Sequence, residues 1–367
     1  MIPINLPKIG EEEIEAVVKV MRSGQLTNAL SKGPMVTQFE KNFAKFAGAK
    51  HAIAMNTGTA ALHSALMAAG VRQGDEVIVP SFTFVATVEA VVMAGGKPVF
   101  TDIDPDTYNV SPDEIEKNVT EKTKTVMPVD LFGLSADLKP IRKIAEENAL
   151  TVVEDAAQAH GATYEEKPAG AFADAACWSF YASKNMTTGE GGAVTTDNDE
   201  IAETLSLIRT HGEKTKYSSV RLGCNYRMSE ALAAIGIVQL EKLPRFVAKR
   251  RKNAKRLTEV LAASDRLKLP EESEERQHSW YLYTVRVQNA TESERNRIVE
   301  ELRRKEIGAV AYYVHPVHLM PYYRENFGEY TLPETEKAAQ QVFSLPIHPR
   351  VTEAQVDYIG KTLLDLL

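Results

Sequence analysis

A single lysine, Lys184, lies in the stretch SFYASKNMTTGEGGAVTT, between a short apolar run and a glycine-rich turn. A lysine here could be a solvated surface charge, the cation of a reductase-type Tyr/Lys pair, or an amine that bonds covalently to a cofactor. Short-chain reductases use a Tyr and a Lys four positions apart, whereas Tyr181 and Lys184 are three apart. Because no GxGxxG follows the first predicted strand, a nicotinamide site is disfavoured.

The stretch MNTGTAAL could bind a phosphate group. Gly58 permits a tight turn, and the helix predicted after it offers free backbone N–H groups at its positive dipole end. An ordinary strand-to-helix turn explains the same pattern equally well.

The stretch VVEDAAQAHGA carries two adjacent acids, Glu154 and Asp155, at the end of an apolar run. Buried carboxylates are costly unless a cation or hydrogen-bond donor faces them. Since consecutive strand residues point to opposite faces, only one of the two should reach a given ligand. Asp155 is followed by small alanines, and Gln158 lies about one helical turn further on. The alternative is that Asp155 caps a helix.

Together, these three stretches suit pyridoxal phosphate. This cofactor needs a lysine for its Schiff base, an anion that keeps its ring nitrogen protonated, and a cradle for its phosphate. Lys184, Asp155 and Gly58 supply one of each. The alternative for Lys184 alone is a surface charge, as for most lysines.

The elements that must position these residues alternate from about Lys50 to Thr196. HAIAM and DEVIVP are predicted strands, TAALHSALMAAG and FVATVEAVVMAG are predicted helices, and the alternation continues through KPVFTDI, TKTVMPVD, IRKIAEENA, LTVVEDA and DAACWSF. This pattern predicts an α/β fold with a mostly parallel, buried central sheet between helices. Ligands are then expected at the carboxyl ends of strands, in the loops after Met55, Pro80, Asp130 and Glu154.

The alternation of predicted strands and helices has ended by Met228. A long helical stretch follows, which Pro244 should bend or break, and it is predicted to lead into a second domain. We predict a large domain over 1–240, including an N-terminal arm, and a smaller α+β domain over 241–367. In the latter, WYLYTVRV is predicted as a half-buried strand, ESERNRIVEELRRKE as a helix and GAVAYYV as a strand. A final helix should start at Thr352 with a capping box to Gln355.

The composition excludes several classes of protein. The 367 residues are 44% hydrophobic and 25% charged with a net charge of −7, which gives no general reason to bind nucleic acid or a membrane surface. Cys177 and Cys224 lack CxxC spacing, so no metal site is expected. With no signal-like N-terminus and no uninterrupted apolar span, the sequence predicts a cytoplasmic protein.

Seven motifs in order carry a resemblance to a known family: TGTAAL, PSFTFVAT, DIDPDTYNV, VEDAAQAHGA, SFYASKN, GEGGAVTT and GCNYRMSE. Over essentially the whole chain, this sequence resembles the DegT/DnrJ/EryC1/StrS sugar aminotransferases, which are fold-type I pyridoxal-phosphate enzymes. A minority of that family has histidine at the lysine position and dehydrates sugars. SFYASKN keeps Lys184, which favours transamination.

The resemblance implies a role for each matching position. Lys184 would form the internal aldimine and move protons, and Asp155 would pair with the ring nitrogen. The other implied cofactor contacts are Gln158 at the ring hydroxyl, Phe84 stacked on the ring, and Gly58, Thr59 and Ser179 at the phosphate. NYR would cross a homodimer and place Asn225 at the phosphate in the partner's site, with Arg227 beside it as a further candidate for substrate contact. His315 and His318 are candidates for substrate contact, and a hydrogen-bonded loop histidine is the alternative for each.

The function that the resemblance implies is transfer of an amino group from L-glutamate to a nucleotide-linked keto-sugar. One alternative is an aminotransferase that acts on a ketone without a nucleotide. Another is a regulatory protein that keeps the fold and cofactor without turnover, although retention of the lysine, acid, glutamine and serine disfavours it.

Overall fold

The structure, a computed structural model, describes all residues from 1 to 367. Its twelve helices are α1 (Glu11–Ser23), α2 (Pro34–Ala47), α3 (Gly58–Ala68), α4 (Val85–Met93), α5 (Pro112–Asn118), α6 (Leu138–Glu147), α7 (Asp199–Arg209), α8 (Glu230–Leu261), α9 (Glu292–Arg304), α10 (Pro321–Phe327), α11 (Pro333–Gln341) and α12 (Glu353–Leu364). Short 3₁₀ turns span Leu131–Gly133 and Val317–Leu319. None of the helices combines the length and apolar character that a bilayer crossing requires.

The strands are β1 (His51–Met55), β2 (Glu76–Pro80), β3 (Lys97–Thr101), β4 (Thr123–Val126), β5 (Thr151–Asp155), β6 (Thr163–Tyr164), β7 (Lys167–Pro168), β8 (Ala175–Ser179), β9 (Gly192–Thr196), β10 (Glu213–Thr215), β11 (Ser218–Ser219), β12 (Leu267–Lys268), β13 (Arg276–Gln277), β14 (Tyr283–Val287) and β15 (Val342–Leu345). Seven of them form the central sheet in the order β1-β9-β8-β5-β4-β2-β3. Only β9 runs antiparallel to its neighbours, so the predicted mostly parallel α/β fold is confirmed.

This strand order determines where a ligand can bind. Strands β1, β2, β5 and β8 run in one direction, and their carboxyl ends, Met55, Pro80, Asp155 and Ser179, meet at one edge of the sheet. The strands are apolar runs buried on both faces, so polar groups can gather only where the strands end. The sheet therefore carries four chain segments to one place.

Helix α8 joins two hydrophobic cores. Its first half packs Ala233, Leu240 and Leu243 beside the sheet, whereas its second half packs Leu257 and Leu261 against the C-terminal strands and α12. The helix continues through Pro244, so the predicted break there is wrong, and the alternative of a bend stays a prediction. A continuous helix tolerates this proline because both halves are held by tertiary packing, which outweighs the lost backbone hydrogen bond. The domain boundary near residue 240 stays a prediction.

Two expectations for the C-terminal region need correction. Strand β14 is buried on both faces, not one, because its polar side is paired: Thr284 Oγ1 lies 2.9 Å from Ser344 Oγ, and Arg286 Nε donates to Gln341 Oε1 at 2.6 Å. GAVAYYV is not a strand beyond an isolated bridge from Val310 to Ser344, and the partner strand is β15. The helix over ESERNRIVEELRRKE and the Thr352–Gln355 capping box are confirmed.

Candidate active site

A cavity of about 520 Å³ lies at the edge where the four strands end. Seven of the residues that the sequence singled out line it: Gly58, Thr59, Phe84, Asp155, Gln158, Ser179 and Lys184. Of the four loops expected to hold a ligand, the one after Asp130 does not reach the cavity. Instead it supports the site from behind, where the backbone N–H of Phe132 donates to Gln158 Oε1 at 2.7 Å.

Asp155 forms the acidic end of the cavity. Its Oδ2 accepts a hydrogen bond from Thr87 Oγ1 at 2.8 Å, and its Oδ1 accepts one from the Ala157 N–H at 3.1 Å. Burial raises the pKa of Asp155 above its usual range, while these two bonds and the charge of Lys184 oppose that shift. Glu154 faces away from the cavity and accepts from the Gly170 N–H, as strand alternation predicted.

Lys184 is positioned by a tight loop between β8 and β9. The loop closes where the Phe180 N–H donates to the Gly191 carbonyl and the Lys184 N–H donates to the Tyr181 carbonyl at 2.9 Å. A Cβ on Gly191 would lie 2.3 Å from Thr188 Oγ1, so the loop needs a glycine there. The Lys184 ammonium lies 4.6 Å from the centre of the Tyr281 ring, inside the cavity.

The N-terminus of α3 forms a concave wall opposite Ser179. Thr57 caps this helix, and its side chain accepts a hydrogen bond from the Ala60 N–H. The backbone N–H groups of Gly58 and Thr59 belong to the first turn and have no intrahelical acceptor. A Cβ on Gly58 would lie 2.8 Å from the Ser179 Cβ, so the glycine keeps open a space beside the serine hydroxyl.

Aromatic side chains form the remaining wall. Phe84 is 57% exposed, and its ring centre lies 6.3 Å from that of Tyr313. Both ends of the Gln158 amide are hydrogen bonded, because its Oε1 accepts from the Phe132 N–H and its Nε2 donates to the Tyr313 hydroxyl at 3.3 Å. The tyrosines at 281, 312 and 313 come from the C-terminal part of the chain, so the cavity lies between the sheet and that part.

Four of the predicted site residues lie outside this cavity. Asn225 and His315 are exposed, and Arg227 pairs with Met55 in an isolated antiparallel bridge. His318 is buried, its Nδ1 lies 2.6 Å from Ser81 Oγ, and burial lowers the pKa of its ring. Within this chain His318 thus corresponds to the hydrogen-bonded loop histidine that the sequence left as an alternative.

The sequence interpretation missed several residues of the cavity wall. Thr83 and Thr87 lie inside the motif PSFTFVAT, and their spacing of four positions could have placed both hydroxyls on one side of a helix start. Tyr281 and Tyr313 have no local signal, since they reach the cavity only through tertiary packing. Both tryptophans adjoin the wall in sequence: Trp178 precedes Ser179, and Trp280 precedes Tyr281.

These residues fit pyridoxal phosphate. The cavity brings together an amine, a buried carboxylate and an N–H-rich cradle that any side chain at position 58 would crowd. The carboxylate has a donor on each oxygen, and its remaining lone pairs are available to a protonated ring nitrogen. These groups therefore match the aldehyde, the ring nitrogen and the phosphate of the cofactor.

Comparisons with known proteins show the family of this chain. The profile of the DegT/DnrJ/EryC1/StrS aminotransferase family matches residues 7–364. The chain is 41% identical over 358 residues to a pleiotropic regulatory protein of Geobacillus stearothermophilus, covering 96% of this chain and 94% of the relative. It is 37% identical over 369 residues to the GDP-perosamine synthase of Caulobacter vibrioides, covering 100% and 98%.

The chain is also similar in fold to a solved structure. The S. venezuelae DesV structure, in complex with a ketimine intermediate, superposes with a TM-score of 0.92 at 35% identity, covering 97% of this chain and 94% of DesV. The matched residues include every segment of the cavity wall. The protein is a pyridoxal-phosphate-dependent aminotransferase and belongs to the DegT/DnrJ/EryC1/StrS aminotransferase family.

Proposed function

We propose that this enzyme transfers the amino group of L-glutamate to a nucleotide-linked keto-sugar. The observation that carries the proposal is the convergence of Lys184, Asp155 and the Gly58 cradle in one cavity. The similarity to a GDP-perosamine synthase supports a sugar as the acceptor.

The cofactor, when bound, supplies the electron sink that stabilises negative charge at the reacting carbon. Lys184 would hold it through Nζ and, once released, would move the proton at that carbon. Asp155 would keep the ring nitrogen protonated, since a carboxylate stabilises a neighbouring positive charge. The N–H groups of Gly58 and Thr59, together with the Ser179 hydroxyl, would bind the phosphate.

We further propose a homodimer whose two copies share each site. Among the residues that line the cavity, Lys184 is the only cation, whereas Asp155 and Glu190 are acids. An anionic donor and a diphosphate-bearing acceptor need further positive groups. Asn225 and Arg227 lie outside the cavity of their own chain, where a second copy could use them. Apolar side chains exposed on α1 at Ile14, Val18 and Met21 favour an association of this kind.

The test is the visible absorption spectrum of the protein with pyridoxal phosphate, before and after addition of L-glutamate, with Lys184→Ala measured in parallel. We expect a visible band in the wild type that glutamate bleaches, and no such band in Lys184→Ala. Bleached enzyme would then be offered a keto-hexose with and without a nucleotide, and recovery of the band only with the nucleotide-linked form supports the proposal.

Other outcomes separate the alternatives. Recovery with both forms of the keto-hexose would indicate a ketone substrate without a nucleotide. A band that neither glutamate nor other amino acids change would favour a regulatory protein that binds the cofactor without turnover. The Geobacillus relative is named as a regulatory protein. Absence of any band would contradict the cofactor assignment.

A further inference from the structure

A chain of two threonine hydroxyls ends on the buried acid of the active site. Thr87 Oγ1 lies 2.8 Å from Asp155 Oδ2, and Thr83 Oγ1 lies 3.0 Å from Thr87 Oγ1. Both threonines are 1% exposed. The three side chains therefore form a hydrogen-bonded array in a place that water reaches poorly, where such bonds are strongest.

The charge of Asp155 fixes the direction of this array. An ionised carboxylate only accepts hydrogen bonds, so Thr87 must donate to Asp155. With its proton committed, Thr87 can only accept from Thr83. A protonated Asp155 could instead donate to Thr87, and the array would lose its single direction. The two hydroxyls thus favour the charged acid over the neutral one.

The array also connects the acid to the aromatic wall. Phe84 lies between the two threonines in sequence and occupies the N-cap position of α4, whose third residue is Thr87. The start of α4 therefore positions both Phe84, which is predicted to stack on the cofactor ring, and Thr87, which donates to Asp155. A shift of α4 would move both together.

We propose that Thr87 is a positioning residue that holds Asp155 ionised and aimed into the cavity, and that Thr83 fixes the direction of the Thr87 hydroxyl. This inference rests on the proposed cofactor site, because its consequence is the affinity for a protonated pyridine ring. A hydrogen bond to a charged group, when removed, changes binding by about 10-fold or more.

The test measures the affinity of the apoprotein for pyridoxal phosphate by absorption titration across pH 5 to 8. We expect Thr87→Val to weaken binding by about 10-fold or more, Thr83→Val to weaken it less, and Thr87→Ser to restore it. Losing a donor to the charged form raises the acid's pKa, so in Thr87→Val the loss of binding at low pH should begin at higher pH than in the wild type.

Other charged or titratable groups around Asp155 must stay constant across this series, and none of the three substitutions alters them: Lys184, Asp130, Glu154, Cys177 and Tyr313. Thr125→Val is the matched control, because Thr125 is equally buried and its hydroxyl has no hydrogen-bond partner. It should bind the cofactor like the wild type.

Two outcomes would overturn the inference. One is that Thr87→Val binds the cofactor with wild-type affinity and loses binding at the same low pH as the wild type, while Asp155→Asn loses binding. The other is a Thr87→Ser variant that binds as weakly as Thr87→Val. If Thr87→Val does not fold, Thr87→Ala, which also lacks the hydroxyl, takes its place in the comparison with Thr87→Ser. Failure of the cofactor assignment is distinguishable, since the wild type itself would then bind no pyridoxal phosphate, and failure of the proposed substrates is too, since glutamate would then leave the visible band of the bound cofactor unchanged.

Discussion

Glu154 and Asp155 are adjacent acids of similar chemistry, yet the fold gives them opposite tasks. Asp155 faces the cavity with a donor on each oxygen, whereas Glu154 lies behind it with Oε2 unpartnered. Alternation along β5 is enough to separate them. At the scale of single residues, the site therefore depends on which face of a strand a side chain occupies as much as on its type.

Gly58→Ala should weaken cofactor binding without unfolding the protein. The new Cβ would lie 2.8 Å from the Ser179 Cβ and 3.1 Å from its Oγ, so it would displace the hydroxyl that is expected to bind phosphate. Losing one hydrogen bond to a charged group predicts about a 10-fold higher Kd for pyridoxal phosphate, measured by absorption titration. Gly10→Ala is the control, since the nearest atom to its Cβ is the flexible end of Glu12. Equal affinities in the two variants would contradict the assignment of the cradle.

At the scale of elements, the sequence predicted the central sheet because its strands are buried apolar runs bounded by helices. The predicted half-burial of β14 was wrong because its polar side chains are buried in pairs. The predicted strand over GAVAYYV was wrong because Tyr312 and Tyr313 line the cavity instead. The other proposed cofactor contacts came from the family resemblance, whereas the lysine, the acid and the phosphate turn were predicted because each lies at or shortly after a strand end. Thr87 and Tyr281 were not, because their contacts join segments distant in sequence.

Glu154→Gln should flatten the pH dependence of stability. Burial and the neighbouring Asp130 raise the pKa of Glu154, and burial raises that of Asp130 to about 6. Acids with raised folded-state pKa values contribute stability at low pH that is lost as pH rises above their unfolded values, near 4. The neutral amide can still accept from the Gly170 N–H and removes one of the charges. Between pH 5 and 8, the free energy of unfolding measured in urea should fall less in the variant than in the wild type.

Glu76→Gln supplies the contrasting control. Hydrogen bonds from Thr120 and Lys97 lower the pKa of Glu76, so its contribution is present at neutral pH and is lost as the medium becomes more acidic. This variant should therefore lose stability at pH 8 and approach the wild type at low pH. If the free energy of unfolding has the same pH dependence in the wild type and in Glu154→Gln, the buried pair Glu154 and Asp130 does not titrate as described.

At the scale of the whole molecule, the cavity depends on both cores that α8 connects. Its acid, cradle and lysine come from the sheet, whereas Tyr281 and Tyr313 come from the C-terminal part of the chain. The proposed second copy would add a third contributor. With that proposed second copy, the site would need three parts in place before it could bind the proposed sugar nucleotide.

Complementation between two inactive variants tests the shared site. We expect Lys184→Ala to be inactive and Asn225→Ala to be impaired, because the first removes the cofactor amine and the second a donor presented to the partner. In a mixed dimer, one site keeps both residues and the other loses both. Random assembly predicts that co-expressed chains recover roughly a quarter of wild-type activity. Recovery no greater than the sum of the separate variants, in a confirmed mixed dimer, would place Asn225 in the site of its own chain.

The two tryptophans have a practical consequence. Trp178 immediately precedes a residue of the cradle, and Trp280 immediately precedes the tyrosine beneath Lys184. The chain has no other tryptophan, so its tryptophan emission, excited selectively over that of the 13 tyrosines, comes entirely from residues that adjoin the cavity wall in sequence. A chromophore bound there that absorbs in the near ultraviolet would quench this emission by resonance energy transfer. The intrinsic fluorescence of the unlabelled protein would then report occupancy of the site directly, even in variants that have lost turnover.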